Sequence, residues 1–342
     1  MSDSPDSAHA LFSAENANNL ECEMTNAEWL KEKNHSFKLI PSLILACALI
    51  FLFSFISCGS QINEHKGFLI AVSIPPQAWF VSQIAGDNAQ TLILVPPGQN
   101  PHNYEPAPLQ IQKLSAADAW ILSGSEFEIS LRPKIEKLFP NLLIIDGTQG
   151  VHFRQLENHH HDGFNNHDEA EGINSNSSSL VNLDRHTWLG REPAYILAAH
   201  VTNTLAFLDN ENELYYRGRY GRVINIIYDA FNDLKSILAP LNDKSVFVYH
   251  PSFGYFLDEF GIHQEAVETG GKEPTPRQLY RLMNMINEEK PAAIFVQTQF
   301  PVNAARTLAA SAGAQVVELD PLAENWLENI LHIGQVLKNI IP

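Results

Sequence analysis

The sequence predicts an α/β protein of two βαβ lobes with mostly parallel sheets, joined by a long linking helix. Two observations carry this. Short apolar runs alternate with helical periods over residues 67–146, and the same rhythm returns over 246–341, as expected when helices cross over between parallel strands. Between them lie two long helical stretches, Pro193–Leu208 and Leu214–Leu238, the second without proline. A chain of 342 residues is long enough for two domains with cores of their own.

In the first lobe, Gly67–Ser73 reads as a buried strand and Pro75–Ile84 as a helix. Gln90–Val95 is a second strand, Ile111–Ala116 part of a helix, and Ala119–Ser123 a third strand. Leu131–Phe139 reads as helical and Leu142–Asp146 as a fourth strand. The second lobe offers strands at Val246–Tyr249, Gln264–Val267, Ala293–Gln297 and Gln315–Leu319. Helices are expected at Phe253–Phe260, Arg277–Glu289, Asn303–Ser311 and Trp326–Ile341. Pro251 is expected to open the first of these and Thr275-Pro276 to cap the second, proline being suited to a first helical turn. Gly218 and Gly221 interrupt the long linking stretch, each weakening a helix by about 1 kcal/mol relative to alanine. The boundaries drawn are a leader and signal at 1–57, a tether at 58–66, an N-terminal lobe at 67–192, a linking helical segment at 193–240 and a C-terminal lobe at 241–342.

The leader reads as an address. Leu39–Ile56 is almost wholly apolar, follows Lys31, Lys33 and Lys38, and stops at Ser57-Cys58-Gly59. A basic flank, an apolar run and a small residue before cysteine resemble a bacterial lipobox, with Cys58 the lipidated first mature residue. An uncleaved transmembrane anchor is the other reading, since about 20 apolar residues span a bilayer. Both put the body outside the cytoplasmic membrane, in the periplasm or on the membrane's outer face. Residues 1–23 are polar and acidic, and Met24 is a second candidate start.

Charge and cysteine usage narrow the chemistry. The 22 basic against 39 acidic residues give a net charge of −17, which argues against nucleic acid as a partner. The three cysteines, Cys22, Cys47 and Cys58, all precede the body, so any metal held there takes nitrogen and oxygen donors. His102 follows the second strand through Pro96-Pro97-Gly98, His186 lies in the connection after the first lobe, His250 ends the strand 246–249, and Asp320 closes the strand 315–319. Strand carboxyl ends face the crevice where open α/β sheets bind ligands. Two of these residues precede the linking helix and two follow it, so a shared site would lie in the cleft between lobes. Three imidazoles and a carboxylate suit a borderline-soft divalent ion, zinc above all. Taken singly, each has an ordinary explanation as a turn or loop residue.

Five ordered motifs resemble the metal-binding family of bacterial ABC-importer solute-binding proteins for zinc and manganese. They are Pro-Pro-Gly-Gln-Asn-Pro-His-Asn-Tyr-Glu-Pro at 96–106, Asp-Arg-His-Thr-Trp-Leu at 184–189, His-Pro-Ser-Phe-Gly-Tyr-Phe at 250–256, Gly-Gly-Lys-Glu-Pro-Thr-Pro at 270–276 and Asp320-Pro321-Leu322. The resemblance implies His102, His186, His250 and Asp320 as the ligands of Zn2+ cargo, and an ABC-transporter membrane permease as partner, with the membrane reached through the lipid anchor. Arg185, Gly190 and Arg191 depart from the family's second motif. Manganese-type members tend to carry a carboxylate where His250 stands, so histidine there favours zinc.

A polar stretch with His159, His160, His161 and His167 has a composition that buries no core. It reads as a secondary metal loop at 157–172 or as a solvated insertion. Members of the zinc type resemble this chain in carrying one. The function expected is extracytoplasmic capture of Zn2+ and its delivery to an importer, without catalysis. The alternatives are a manganese-binding importer component, a zinc-dependent hydrolase with Glu105 or Glu268 as base, and a surface adhesin lipoprotein.

Overall fold

A computed structural model describes residues 67–156, 183–268, 276–300 and 302–341. The leader with Cys58, the loop histidines His159, His160, His161 and His167, and most of the motif at 270–276 lie outside the described residues.

The first sheet is built from β1 (Phe68–Val72), β2 (Ala89–Ile93), β3 (Ala119–Leu122) and β4 (Leu143–Asp146). They are separated by α1 (Pro75–Ala85), α2 (Pro108–Leu114) and α3 (Glu126–Leu138). Two long helices follow, α4 (Arg191–Leu208) and α5 (Glu213–Leu238). The second sheet comprises β5 (Ser245–Val248), β6 (His263–Ala266), β7 (Ala293–Gln297) and β8 (Gln315–Leu319). Its helices are α6 (Gly254–Asp258), α7 (Pro276–Glu289), α8 (Val302–Ala312) and the closing α9 (Trp326–Ile340). The strand orders are β2-β1-β3-β4 and β6-β5-β7-β8, with every ladder parallel. Successive crossovers therefore diverge between β1 and β3, and again between β5 and β7. A crevice opens beside such a break, at the strands' carboxyl ends.

Predicted strands match to within two residues, but two helix starts differ. α3 begins at Glu126 rather than Leu131. Glu128 in its first turn accepts from Ser123 N at 2.7 Å, Ser123 Oγ at 2.8 Å and Gly124 N at 2.8 Å, so the turn after β3 is tied into the helix. α2, expected in part at Ile111–Ala116, begins at Pro108, where Gln110 reaches back to accept from Ala107 N at 2.9 Å. Pro251 does not open a helix; α6 begins at Gly254. The amide of Gln297 at the end of β7 accepts from His250 N and donates to His250 O, which holds the His250-Pro251 bend in place and delays the helix. α5 runs unbroken through Gly218 and Gly221, both facing open space.

The two sheets do not have separate interiors. One buried apolar cluster runs from β1 and β3 through α1, α4 and α5 to α6, β5 and α9. A smaller one around Phe247, Ile294 and Leu308 covers the second sheet's other face. Trp326 of α9 lies against Trp79 and Phe80 of α1, with ring centroids 5.2 and 4.9 Å apart. Two indoles stitch the connections together: Trp326 Nε1 donates to Trp188 O at 2.6 Å, and Trp188 Nε1 donates to Pro321 O at 2.8 Å. The last described helix thus packs on the first described one.

Candidate metal centre

His250 stands two residues beyond β5, at the break in the second sheet, where Gln297 fixes its backbone. The ring is buried and stacked on Phe300, centroids 4.5 Å apart. His186 precedes the short 3-10 turn Thr187–Leu189, and its N–H donates to Asp184 Oδ1 at 3.0 Å, the local turn that an Asp-x-His sequence favours. His102 lies in the loop after β2. There its N–H donates to Asn100 Oδ1 at 2.9 Å, and Gln110 of α2 pins the flanks through Tyr104, Ala107 and Leu94.

Side chains brought from three distant segments meet here. His250 Nε2 is 2.8 Å from His102 Nε2 and 3.1 Å from His186 Nε2, and ligating atoms of all three lie within 4.8 Å of one another. The opposite nitrogen of each ring meets a carboxylate. His102 Nδ1 is 2.9 Å from Glu126 Oε2, His186 Nδ1 is 2.7 Å from Asp184 Oδ1, and His250 Nδ1 is 2.5 Å from Glu268 Oε2. A carboxylate accepts only, so each Nδ1 is the protonated nitrogen, and each neutral ring turns an Nε2 lone pair inward. Three lone pairs converging at such separations repel unless a cation sits among them. Tetrahedral zinc, with Zn–N of about 2.0–2.1 Å, sets its nitrogens about 3.4 Å apart, so the 2.8 and 3.1 Å separations would widen by a few tenths of an ångström to admit it.

Electrostatics agree. Burial holds the His250 pKa well below the usual histidine value, and the neighbouring His186 and His102 push it the same way. At Asp184 burial works upward, but the bonds from His186 and Arg154 outweigh it and leave the carboxyl below its usual range. At Glu126 burial again works upward, and the bond from His102 prevails to leave this carboxyl lowered too.

Asp320 lies beside the group without joining it. Its Oδ1 accepts from Gln299 Nε2 at 2.6 Å and Leu322 N at 2.9 Å. Gln299 and Leu322 line the histidine pocket with Asn100, Trp188, Ser252 and Gln297. That pocket encloses about 240 Å³ of empty space including its solvent-open part. Glu105 is exposed and outside it. Sequence reasoning found the three imidazoles but not their carboxylates as partners. Asp184 was legible as a neighbour of His186 and Glu268 as a strand-end residue, whereas nothing local marks Glu126.

The family profile described as zinc-uptake complex component A, periplasmic (ZnuA), matches residues 70–339. A putative metal-binding protein of Chlamydia trachomatis is 25% identical over 316 residues, covering 89% of this chain and 99% of its own length. The high-affinity zinc uptake system protein ZnuA of Yersinia pestis is 24% identical over 302 residues, 84% of this chain and 91% of that protein. A crystal structure of ZnuA superposes with a TM-score of 0.71 at 30% identity, over 80% of this chain and 99% of that one.

Proposed function

The chain belongs to the family of periplasmic zinc-uptake components, and on that premise we propose how it handles its cargo. It captures Zn2+ outside the cytoplasm for an ABC importer, as a solute-binding protein. The observation that carries the residue assignment is the threefold pairing of Nδ1 with carboxylates, which leaves three Nε2 atoms aimed at one point. His102, His186 and His250 are the ligands. Asp320 completes the shell by turning from Gln299 as the ion arrives, giving the four protein donors of a closed zinc site. No catalytic step is assigned: Glu105 stands apart from the pocket, and Glu268, the other candidate base, is bonded to His250. An all-imidazole core favours zinc over manganese.

Lipidation at Cys58 would tether the body to the membrane beside the permease. The histidines His159, His160, His161 and His167 would gather zinc weakly before transfer. The lobe boundaries at 193 and 241 follow the linking helices. Calorimetric zinc titration of residues 67–342 tests the assignment. His250→Ala is expected to abolish the tight phase, whereas deletion of 157–172 removes only weaker binding. An unchanged tight phase in His250→Ala would overturn the ligand set.

A further inference from the structure

The carboxylate behind His186 is itself tied through Arg154 to the second lobe. Arg154 Nη1 donates to Asp184 Oδ2 at 2.8 Å, while its Nε donates to Asp258 Oδ2, also at 2.8 Å. Asp258 ends α6, the helix that follows His250. Two more residues of that helix shape the contact. Tyr255 Oη accepts from Arg154 N and donates to Asp184 O, both at 3.1 Å. Gly254 leaves room for the guanidinium, since a Cβ there would collide with Arg154 Nη1. The two segments carrying Arg154 and Asp184, the stems, are paired, Asp184 N donating to Arg154 O at 2.9 Å and Gln155 bridging Leu183. Asp184 is fully buried, and the Arg154 side chain is only 13% exposed.

We infer that Arg154 is a positioning residue for zinc capture, setting the His186 ring through Asp184 according to where α6 stands. The inference rests on the ligand assignment above. One planar cation with two carboxylates in its fork gives directional bonds that lysine's point charge does not reproduce. Because α6 follows the bend in which Gln297 holds His250, the second lobe places one ligand directly and another through Asp258 and Arg154. Drawing α6 away from the stems would loosen His186 as His250 departs, so two of the three imidazoles would let go together. A permease that prises the cleft open would thereby obtain release without competing for the ion.

The test compares Arg154→Gln, Arg154→Lys and Asp258→Asn with Arg191→Gln. The last breaks the 2.6 Å pair to Glu259, next to α6, without touching Asp184. Calorimetric zinc affinity, stopped-flow release and the His186 Nδ1–H proton resonance are read for each. Arg154→Gln is expected to weaken zinc about tenfold or more, the usual effect of losing a ligand's outer partner. It should also shift the His186 resonance and leave that of His102 in place. Arg154→Lys should recover part of the loss. Asp258→Asn, at a half-exposed side chain, should speed release, while Arg191→Gln should match wild type. If Arg154→Gln does not fold, Asp258→Asn decides alone. Wild-type release in Asp258→Asn, or equal losses in Asp258→Asn and Arg191→Gln, would overturn the inference. Tight binding by Arg154→Gln that depends on His250 would do so while leaving the ligand assignment standing.

Discussion

At the scale of single residues, the two nitrogens of each imidazole do different work. One is engaged by a carboxylate, which keeps the other a bare donor. The division sets the pH response. His250 is held neutral in the fold, mainly by burial, while an unfolded histidine titrates near about 6.5. Below that pH the unfolded chain takes up a proton that the folded chain refuses. Stability is therefore full above about 6.5 and falls as pH drops below it. Asp184 and Glu126, whose carboxyls are lowered, add stability above about 4 that is lost as pH falls through their depressed values. Zinc affinity should decline in acid, since protons compete for the ligating nitrogens, and at His250 that competition sets in only well below the usual histidine value. Titrations carried from neutral pH into acid check this, and an affinity undiminished for as long as the fold holds would count against imidazole ligation. The ligands were legible because His102 and His250 follow strands; their partners were less so, since Glu126 is 24 residues from His102 in sequence.

Among the elements, α5 and α9 give opposite answers about glycine. Gly218 and Gly221 lie on the outer face of α5, where an added Cβ would meet nothing within 4 Å. Changing either to alanine should raise stability by up to about 1 kcal/mol, read from denaturant midpoints at unchanged slope. Gly334 in α9 instead faces α5, where a Cβ would collide with Leu234 Cδ2, so Gly334→Ala should destabilise. Local sequence showed that these elements exist, because apolar spacing is a local property. It misplaced the starts of α3 and α6, because side chains reaching back across turns set those starts.

For the whole molecule, the shared core decides cooperativity. Two lobes were legible from the repeated rhythm, but the return of Trp326 onto Trp79 and Phe80 was not, since no local signal reports a contact so distant in sequence. A body knitted in this way should unfold in one transition, with far-UV and near-UV circular dichroism coinciding. Trp326→Ala should cost about 3–5 kcal/mol and draw the two probes apart. Zinc at a hundred times its dissociation constant should add about 2.7 kcal/mol to the intact protein.

The indole of Trp188 has a consequence beyond its hydrogen bond to Pro321 O. Its ring lies 5.4 Å from that of His186 and forms part of the pocket wall. The molecule thus carries a built-in optical gauge: cargo arriving at His186 should alter the emission of a neighbouring fluorophore, with no dye attached. Trp188→Phe should silence that signal while binding continues, so that loading and unloading can be timed by light alone.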